Sequence, residues 1–143
     1  MAAPVRADQE LDLSIESLAY GGNGVARLNG FVVFVRRGLP GDVVRARVTK
    51  VKRNHAEALA VDVIEAGAPR VDAPCEHYPE CGGCRFQDLA YEAQVAAKAE
   101  QVEDALRRIG RVADLPLEPI VPAESDFHYR NKLANAFTQT PEG

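Results

Sequence analysis

The sequence lacks the features that mark secreted, disulfide-stabilised and membrane-spanning proteins. Its 143 residues include no tryptophan, one methionine and three cysteines, and an odd number of thiols excludes a closed disulfide framework. Its longest run of branched or aromatic apolar residues is Phe31–Val35, whereas a membrane span needs about 20 apolar residues. The first ten residues contain no apolar segment typical of a secretion signal. We therefore expect a cytoplasmic monomer that does not bind a membrane.

Several catalytic and nucleotide-binding motifs are also missing. No G-x-G-x-x-G loop follows a strand pattern, no Walker loop occurs, and no serine lies in a G-x-S-x-G context. The residues therefore predict neither a catalytic residue nor an S-adenosylmethionine-binding residue within this chain, and they favour a binding and metal module.

The first 68 residues predict a small barrel. Five strand-like segments lie between residues 10 and 65 with no helix-length pattern among them. Asn29-Gly30 is a strong hairpin signal, and Leu39–Asp42 contains a Pro-Gly turn. The fold class is therefore mainly β, then α+β, and the leading choice for residues 1–68 is an OB-like five-stranded barrel. The predicted strands are Glu10–Glu16, Gly24–Leu28, Phe31–Val35, Val43–Val51 and Ala56–Ile64.

Three further regions follow the barrel. Residues 69–87 are predicted as a linker and a cysteine loop, and residues 88–110 as one amphipathic helix with Asp88 as its N-cap and Gly110 at its end. Residues 111–143 are interpreted as the truncated start of a further domain, with a strand-like stretch from Tyr129 to Thr138. The stripe predicted to pack against the rest of the protein is Val95, Ala99, Val102, Leu106 and Ile109.

The distribution of charge singles out the barrel. The whole chain has a net charge of −4, which argues against a simple basic nucleic-acid binder. Residues 24–56, however, contain eight basic side chains against one acidic side chain, and such a stripe attracts a phosphate backbone. The alternative is an ordinary solvated strand face. The candidate RNA-binding residues are Arg36, Arg37, Arg45, Arg47, Lys50, Lys52 and Arg53.

Strand alternation places Arg45 and Arg47 on one face, opposite Val44, and places Lys50 on the face of Val44 unless a bulge intervenes. The aromatic candidates for base stacking are Tyr20, Phe31 and Phe34, and we expect both phenylalanines in the core. Recognition of shape and backbone is therefore favoured over base-by-base recognition.

All three cysteines lie within one short loop. Cys75, Cys81 and Cys84 form a C-x5-C-x2-C arrangement, and Gly82-Gly83 lets the backbone approach the sulfurs. Zinc and iron–sulfur sites both use such turns and normally take four ligands. The fourth ligand is therefore a histidine (His55, His77 or His128) or a residue outside the chain, and three clustered free thiols are the remaining alternative.

Several motifs carry a family resemblance. Gly24–Arg27, Gly30–Val35, Pro40–Asp42 and Val48–Lys52 resemble the TRAM domain. The piece Cys81-Gly-Gly-Cys84-Arg-Phe-Gln87, followed by a helix and then Tyr129-Arg-Asn-Lys132, is similar to the RNA uracil-C5 methyltransferase family. Nearly the whole chain is covered, in the family's order.

The resemblance implies an S-adenosylmethionine-dependent methyltransferase that acts on uracil C5 in ribosomal or transfer RNA. In such enzymes a cysteine adds to C6 of uracil and a base, usually Glu, removes the C5 proton. Those groups and the cofactor loop belong to a C-terminal domain that this chain does not include. Cys75, Cys81 and Cys84 match three of the four ligands of the family's [4Fe–4S] cluster, and the fourth is expected downstream.

We therefore expect this chain to be the RNA-docking and iron–sulfur-bearing front end of such an enzyme. The alternative is a stand-alone TRAM RNA-binding module with a zinc or iron–sulfur staple. If the chain is the front end of such an enzyme, the isolated 143 residues are expected to bind RNA weakly and to carry out no methyl transfer.

Overall fold

The computed structural model describes residues 3–134, and a single six-stranded sheet dominates it. Neighbouring strands lie in the order β1-β5-β6-β4-β3-β2, and every neighbouring pair is antiparallel except β4 with β6. The mainly β fold class is thereby confirmed. The strands are β1 (Glu10–Ser14), β2 (Ser17–Leu18), β3 (Gly24–Leu28), β4 (Phe31–Arg36), β5 (Val43–Val51) and β6 (His55–Glu65).

The sheet has six strands rather than five because the first predicted strand is interrupted. The N–H of Ile15 donates to the Asp42 carbonyl (2.9 Å), whereas the N–H of Glu16 donates to the Val25 carbonyl on β3 (2.8 Å). The chain therefore passes directly from β1, the edge strand on one side of the sheet, to β2, the edge strand on the other side. The two ends of the sheet are connected by only two residues, and the sheet curls like a barrel without a closed ladder of strands.

Two turns form as the sequence predicts. Asn29 and Gly30 both have positive φ angles, 50° and 84°, as the type I′ turn of a tight hairpin requires. In the second turn the N–H of Asp42 donates to the Leu39 carbonyl (3.1 Å), and Gly41 supplies a φ of 99°.

The main core lies inside the curled sheet and follows strand alternation. Val44, Ala46 and Val48 on β5 are completely buried, and the residues between them are exposed. The cluster also includes Val5, Leu13, Ile15, Ala26, Val33, Val35, Ala56 and Ala58. Each fully buried valine or leucine contributes about 1.5–3 kcal/mol of burial free energy.

One helix, α1 (Tyr91–Asp104), packs beside the sheet and continues into a π-helical turn, Ala105–Ile109. Two predictions about it are wrong. The residue before the helix is Ala90, and Asp88 does not cap it because other partners occupy its carboxylate. The apolar stripe does not form the packed face either, since Val102 is 48% exposed and Ile109 is 84% exposed.

The helix packs instead through small residues. Ala97 is buried, and Ala93 contacts the same cluster, so the helix backbone can approach the sheet closely. The side-chain amide of Gln101 donates to the carbonyl of Leu18 (3.1 Å). This second core cluster also contains Leu39 and Leu89, and it joins β2, the turn before β5, the end of the cysteine loop and the helix.

The rest of the described chain is irregular. Residues 111–134 contain no helix or strand. The strand-like stretch predicted from Tyr129 is therefore absent as far as residue 134, and its remainder lies outside the described residues. Within residues 3–134 no helix combines the length and apolarity needed to cross a membrane.

Candidate nucleic-acid interface and cysteine loop

The basic side chains of β5 lie on the outer face of the sheet. Arg45 and Arg47 are exposed and share one face, as strand alternation predicts. Lys50 is exposed too, because the register between β5 and β6 shifts between Val48 and Lys50. This irregularity is the bulge on which the placement of Lys50 depended.

Carboxylates on the neighbouring strands form ion pairs with Arg45 and Arg47 of β5 and with Lys52, which follows β5. Glu10 and Asp12 of β1 lie opposite Arg47 and Arg45 in the sheet register. The hydrogen bonds that the Arg45 guanidinium donates to the Asp12 carboxylate also raise the pKa of Arg45. The pairs are Arg45–Asp12 at 3.0 Å, Arg47–Glu10 at 2.9 Å and Lys52–Glu57 at 3.0 Å.

The net positive charge of residues 24–56 is therefore partly offset in the folded protein, because carboxylates from other parts of the chain lie beside these cations. Five of the eight basic side chains pair with carboxylates outside that window, which are Glu10, Asp12, Glu16, Glu57 and Glu80. The assignment of Arg45, Arg47 and Lys52 as RNA contacts stays a prediction. Among residues 3–134, no carboxylate lies within 4.0 Å of Arg36, Lys50 or Arg53, all of which are exposed.

The two phenylalanines differ from each other in position. Phe31 packs against the main core, as expected. Phe34 does not belong to either cluster; its ring lies edge-on to His55, with ring centroids 5.3 Å apart. It lines a groove of about 890 Å³ between strands β2–β4 and the end of the helix, together with Tyr20, which is 97% exposed.

The cysteine loop places its three thiols in different surroundings. Cys75 is half-buried, whereas Cys81 and Cys84 are exposed. The Gln87 side chain connects two of the cysteines. Its Oε1 accepts a hydrogen bond from the backbone N–H of Cys75 (3.0 Å), and its Nε2 donates to the Cys84 Sγ (3.3 Å). A Cβ added at Gly83 would lie 3.4 Å from the Cys81 Sγ, about the distance of an ordinary van der Waals contact, so the backbone at Gly83 passes close to that sulfur.

The donor set fits a thiolate-ligated metal or cluster in its chemistry. Three soft ligands lie within ten residues. One of the sulfurs accepts an N–H hydrogen bond, and hydrogen bonds of this kind adjust the reduction potential of iron–sulfur centres. Within residues 3–134, however, no three histidine, cysteine or carboxylate side chains are gathered in a metal-site arrangement. His77, which is exposed, lies 3.5 Å from Glu76 rather than against a thiol.

A polar network that the sequence did not predict fixes the loop to the sheet. The Asp42 carboxylate, fully buried, accepts hydrogen bonds from the N–H groups of Gly67 (2.9 Å) and Ala68 (2.8 Å) and from the Arg70 guanidinium (2.5 Å). Arg70 also donates to Asp88 (2.5 Å). The last two residues of the predicted barrel and Arg70 of the predicted linker are therefore attached to the turn before β5.

Tyr78 extends this network into the cysteine loop. Its hydroxyl donates to the Asp88 carboxylate (2.5 Å). Burial, together with the hydrogen bond to Asp88, raises the pKa of the Tyr78 phenol well above its ordinary value, so the phenol stays protonated and able to donate. The Pro-Gly-Asp turn was the only available signal for this network, since nothing in the sequence links Arg70 to Asp42.

Comparison with known proteins agrees with this architecture. Residues 5–61 match the TRAM domain family. The chain is 38% identical over 91% of its length to an uncharacterized RNA methyltransferase of Halalkalibacterium halodurans and 42% identical over 88% to one of Aquifex aeolicus. A third, from Synechocystis, is 39% identical over 93% of the chain.

The chain spans only 28–30% of the length of these three relatives. The matched TRAM region contains β1–β5 and the first part of β6, together with all seven candidate RNA-binding residues. The chain thus carries a TRAM domain and is homologous, over about nine tenths of its length, to part of proteins named RNA methyltransferases.

Proposed function

We propose that this chain is the RNA-docking front end of an S-adenosylmethionine-dependent RNA methyltransferase that modifies uracil C5. The observation that carries the proposal is the continuous match to relatives named RNA methyltransferases, which runs past the TRAM domain through the cysteine loop and helix. A shared RNA-binding module alone would account for residues 5–61 only.

The finer specificity rests on the motifs in the second half of the chain. Cys81-Gly-Gly-Cys84-Arg-Phe-Gln87 and Tyr129-Arg-Asn-Lys132 resemble the family that methylates uracil C5 in ribosomal or transfer RNA. In the structure the two motifs touch, since the Arg130 guanidinium donates to the Gly83 carbonyl (3.0 Å). This contact supports their acting as one unit.

The RNA-docking role is supported by the exposed cations that lack a carboxylate partner among residues 3–134. Arg36, Lys50 and Arg53 are free to contact phosphates, whereas Arg45 and Arg47 would first have to leave their ion pairs. Surface ion pairs are worth about 0–1 kcal/mol, so a phosphate can displace them.

The cysteine loop is assigned three ligands of a [4Fe–4S] cluster: Cys75, Cys81 and Cys84. When bound, the cluster supplies a covalent cross-link that orders the loop, and no chemistry of methyl transfer is assigned to it. Gln87 would orient two ligand positions through its hydrogen bonds to the Cys75 N–H and the Cys84 Sγ. Zinc at the same thiolates is the alternative outcome of metal analysis.

The test compares the 143-residue chain with a version extended to the length of its relatives. Each is incubated with RNA and S-adenosylmethionine carrying a labelled methyl group. We expect the short chain to bind RNA and transfer no methyl group, and the extended protein to yield 5-methyluridine on nuclease digestion. Transfer by the short chain, or label on a ribose oxygen, would contradict the proposal. RNA binding with no transfer by either version would favour a stand-alone binding module.

A further inference from the structure

A small cleft lies where the cysteine loop meets the sheet. It is bounded by the loop before β3, the residues at the end of β4, and the segment around Cys84. Three arginines line it: Arg36 at the end of β4, Arg37 directly after the strand, and Arg85 from the cysteine loop. The enclosed volume is about 10 Å³, which holds roughly one water-sized group.

The cleft has an excess of positive charge. Among residues 3–134, neither Arg36 nor Arg85 has a carboxylate within 4.0 Å. Arg37 pairs with Glu80 at 2.9 Å, but that carboxylate is 84% exposed. Water competes for such an exposed pair, so Glu80 offsets little of the charge that an entering anion would meet.

The backbone brings two consecutive arginines to the same cleft. In a regular strand, Arg36 and Arg37 would point to opposite faces. Arg37 instead has a φ of 65°, in the left-handed region that a residue other than glycine seldom adopts. The alternation is broken at this residue, and both residues line one opening. Unusual backbone of this kind is concentrated at functional sites.

Close packing holds Arg85 on the other side of the cleft. A Cβ at Gly22 would lie 2.6 Å from the Cβ of Arg85 and 2.9 Å from the ring of Phe86. Phe86 in turn packs against the second core cluster. The loop before β3 and the cysteine loop are therefore in direct contact, and the position of Arg85 depends on that contact.

We propose that this cleft binds one backbone phosphate of RNA, with a non-bridging oxygen entering between Arg85 on one side and Arg36 and Arg37 on the other. This inference rests on the proposed RNA-docking function and names a specific subsite for it. Guanidinium groups match phosphate geometry and form two parallel hydrogen bonds to it. A base is too large for the opening. Because Arg85 belongs to the cysteine loop, RNA affinity depends on the position of that loop.

The test measures binding of a single-stranded RNA of about 12 nucleotides, within the range that one OB-type barrel covers, by fluorescence anisotropy at several salt concentrations. The variants are Arg36→Ala, Arg85→Ala and the double variant. Lys98→Ala removes an exposed helix cation outside the cleft and serves as the charge-matched control. Circular dichroism checks each fold, and Arg85→Gln replaces Arg85→Ala if that variant unfolds.

We expect each single variant to raise Kd about tenfold at low salt and to reduce the slope of log Kd against log salt by about 0.7, the loss of one phosphate contact on a single strand. The double variant should reduce the slope by about 0.7 as well, because both arginines hold the same phosphate. Lys98→Ala should change neither quantity.

Two results would overturn the phosphate site while leaving the proposed function intact. The first is a slope of log Kd against log salt that falls by about 1.4 in the double variant, which would mean that the two arginines contact two different phosphates. The second is unchanged binding by all the variants. If the unaltered chain binds no RNA at all, both the site and the RNA-docking function are wrong.

Discussion

Replacement of Asp42 by alanine should destabilise the protein more than any other single loss of a carboxylate in the described chain. The Asp42 side chain is completely buried and holds three donors: two backbone N–H groups and the guanidinium of Arg70. In the Asp42→Ala variant the N–H groups of Gly67 and Ala68 lose their acceptor. A fully buried unsatisfied donor costs about 1–3 kcal/mol, and because these two hydrogen bonds are only part-buried, each loss should lie near the lower end of that range.

The broken ion pair between Asp42 and Arg70 adds less to the destabilisation than a fully buried pair would. Breaking a buried pair costs about 3–5 kcal/mol, but Arg70 is 30% exposed and keeps its hydrogen bond to Asp88. We therefore expect a total loss of about 3 kcal/mol, in a protein whose free energy of unfolding is about 5–15 kcal/mol.

The measurement is urea unfolding followed by far-ultraviolet circular dichroism. Asp12→Ala is the matched control, because it removes a carboxylate whose partner, Arg45, is on the surface and whose own side chain is 50% exposed. Its loss should be about 1 kcal/mol or less. Asp42→Asn keeps one acceptor and should fall between the two. Equal losses for Asp42→Ala and Asp12→Ala would refute the role assigned to the buried network.

Three further predictions concern the loops. Gly21→Ala and Gly22→Ala both place a side chain at positive φ, but only the Cβ at position 22 would clash with Arg85. Gly22→Ala should therefore lower the free energy of unfolding in urea by about 1–3 kcal/mol more than Gly21→Ala. Equal losses for the two variants would contradict the contact. The raised pKa of Tyr78 adds stability that is complete below the unfolded pKa of about 10 and lost as pH rises beyond it. The stability difference between the unaltered chain and Tyr78→Phe should therefore shrink above about pH 10, and a constant difference would refute the assignment. After anaerobic reconstitution with iron and sulfide, Cys81→Ser should lack the brown chromophore of the unaltered chain; equal chromophore would remove Cys81 from the ligand set.

The sequence predicts the sheet well because its signals are local. The turns at Asn29-Gly30 and Pro40-Gly41 require backbone angles that those residues adopt readily, and alternation within β5 depends only on neighbours in the chain. The same local logic predicted five strands. It missed β2, since the interruption after Ser14 arises from hydrogen bonds to Asp42 and to Val25 on a distant part of the chain.

The helix shows where pattern alone fails. Its larger apolar residues suggested a stripe, yet the packed face uses Ala93 and Ala97, because small side chains let the helix approach the sheet and Leu89 closely. Nothing in the sequence of residues 88–110 indicates which apolar side chains find a partner, since that depends on the surface they meet.

The candidate interface was predicted in composition rather than in arrangement. Counting charges along the chain identified Arg45 and Arg47 but could not reveal the carboxylates of β1 beside them, which are more than 30 residues away. Arg85 was not identified at all, because its relation to Arg36 exists only after the cysteine loop packs against the sheet.

The most direct test of the methyltransferase assignment follows the hydrogen that uracil loses. RNA carrying tritium at uracil C5 is incubated with S-adenosylmethionine and the protein extended to the length of its relatives. Methylation at C5 replaces that hydrogen, so we predict tritium release to water in equal amount to the methyl groups transferred. Methyl transfer without tritium release would contradict the C5 assignment, and RNA binding without any transfer would contradict the methyltransferase assignment itself.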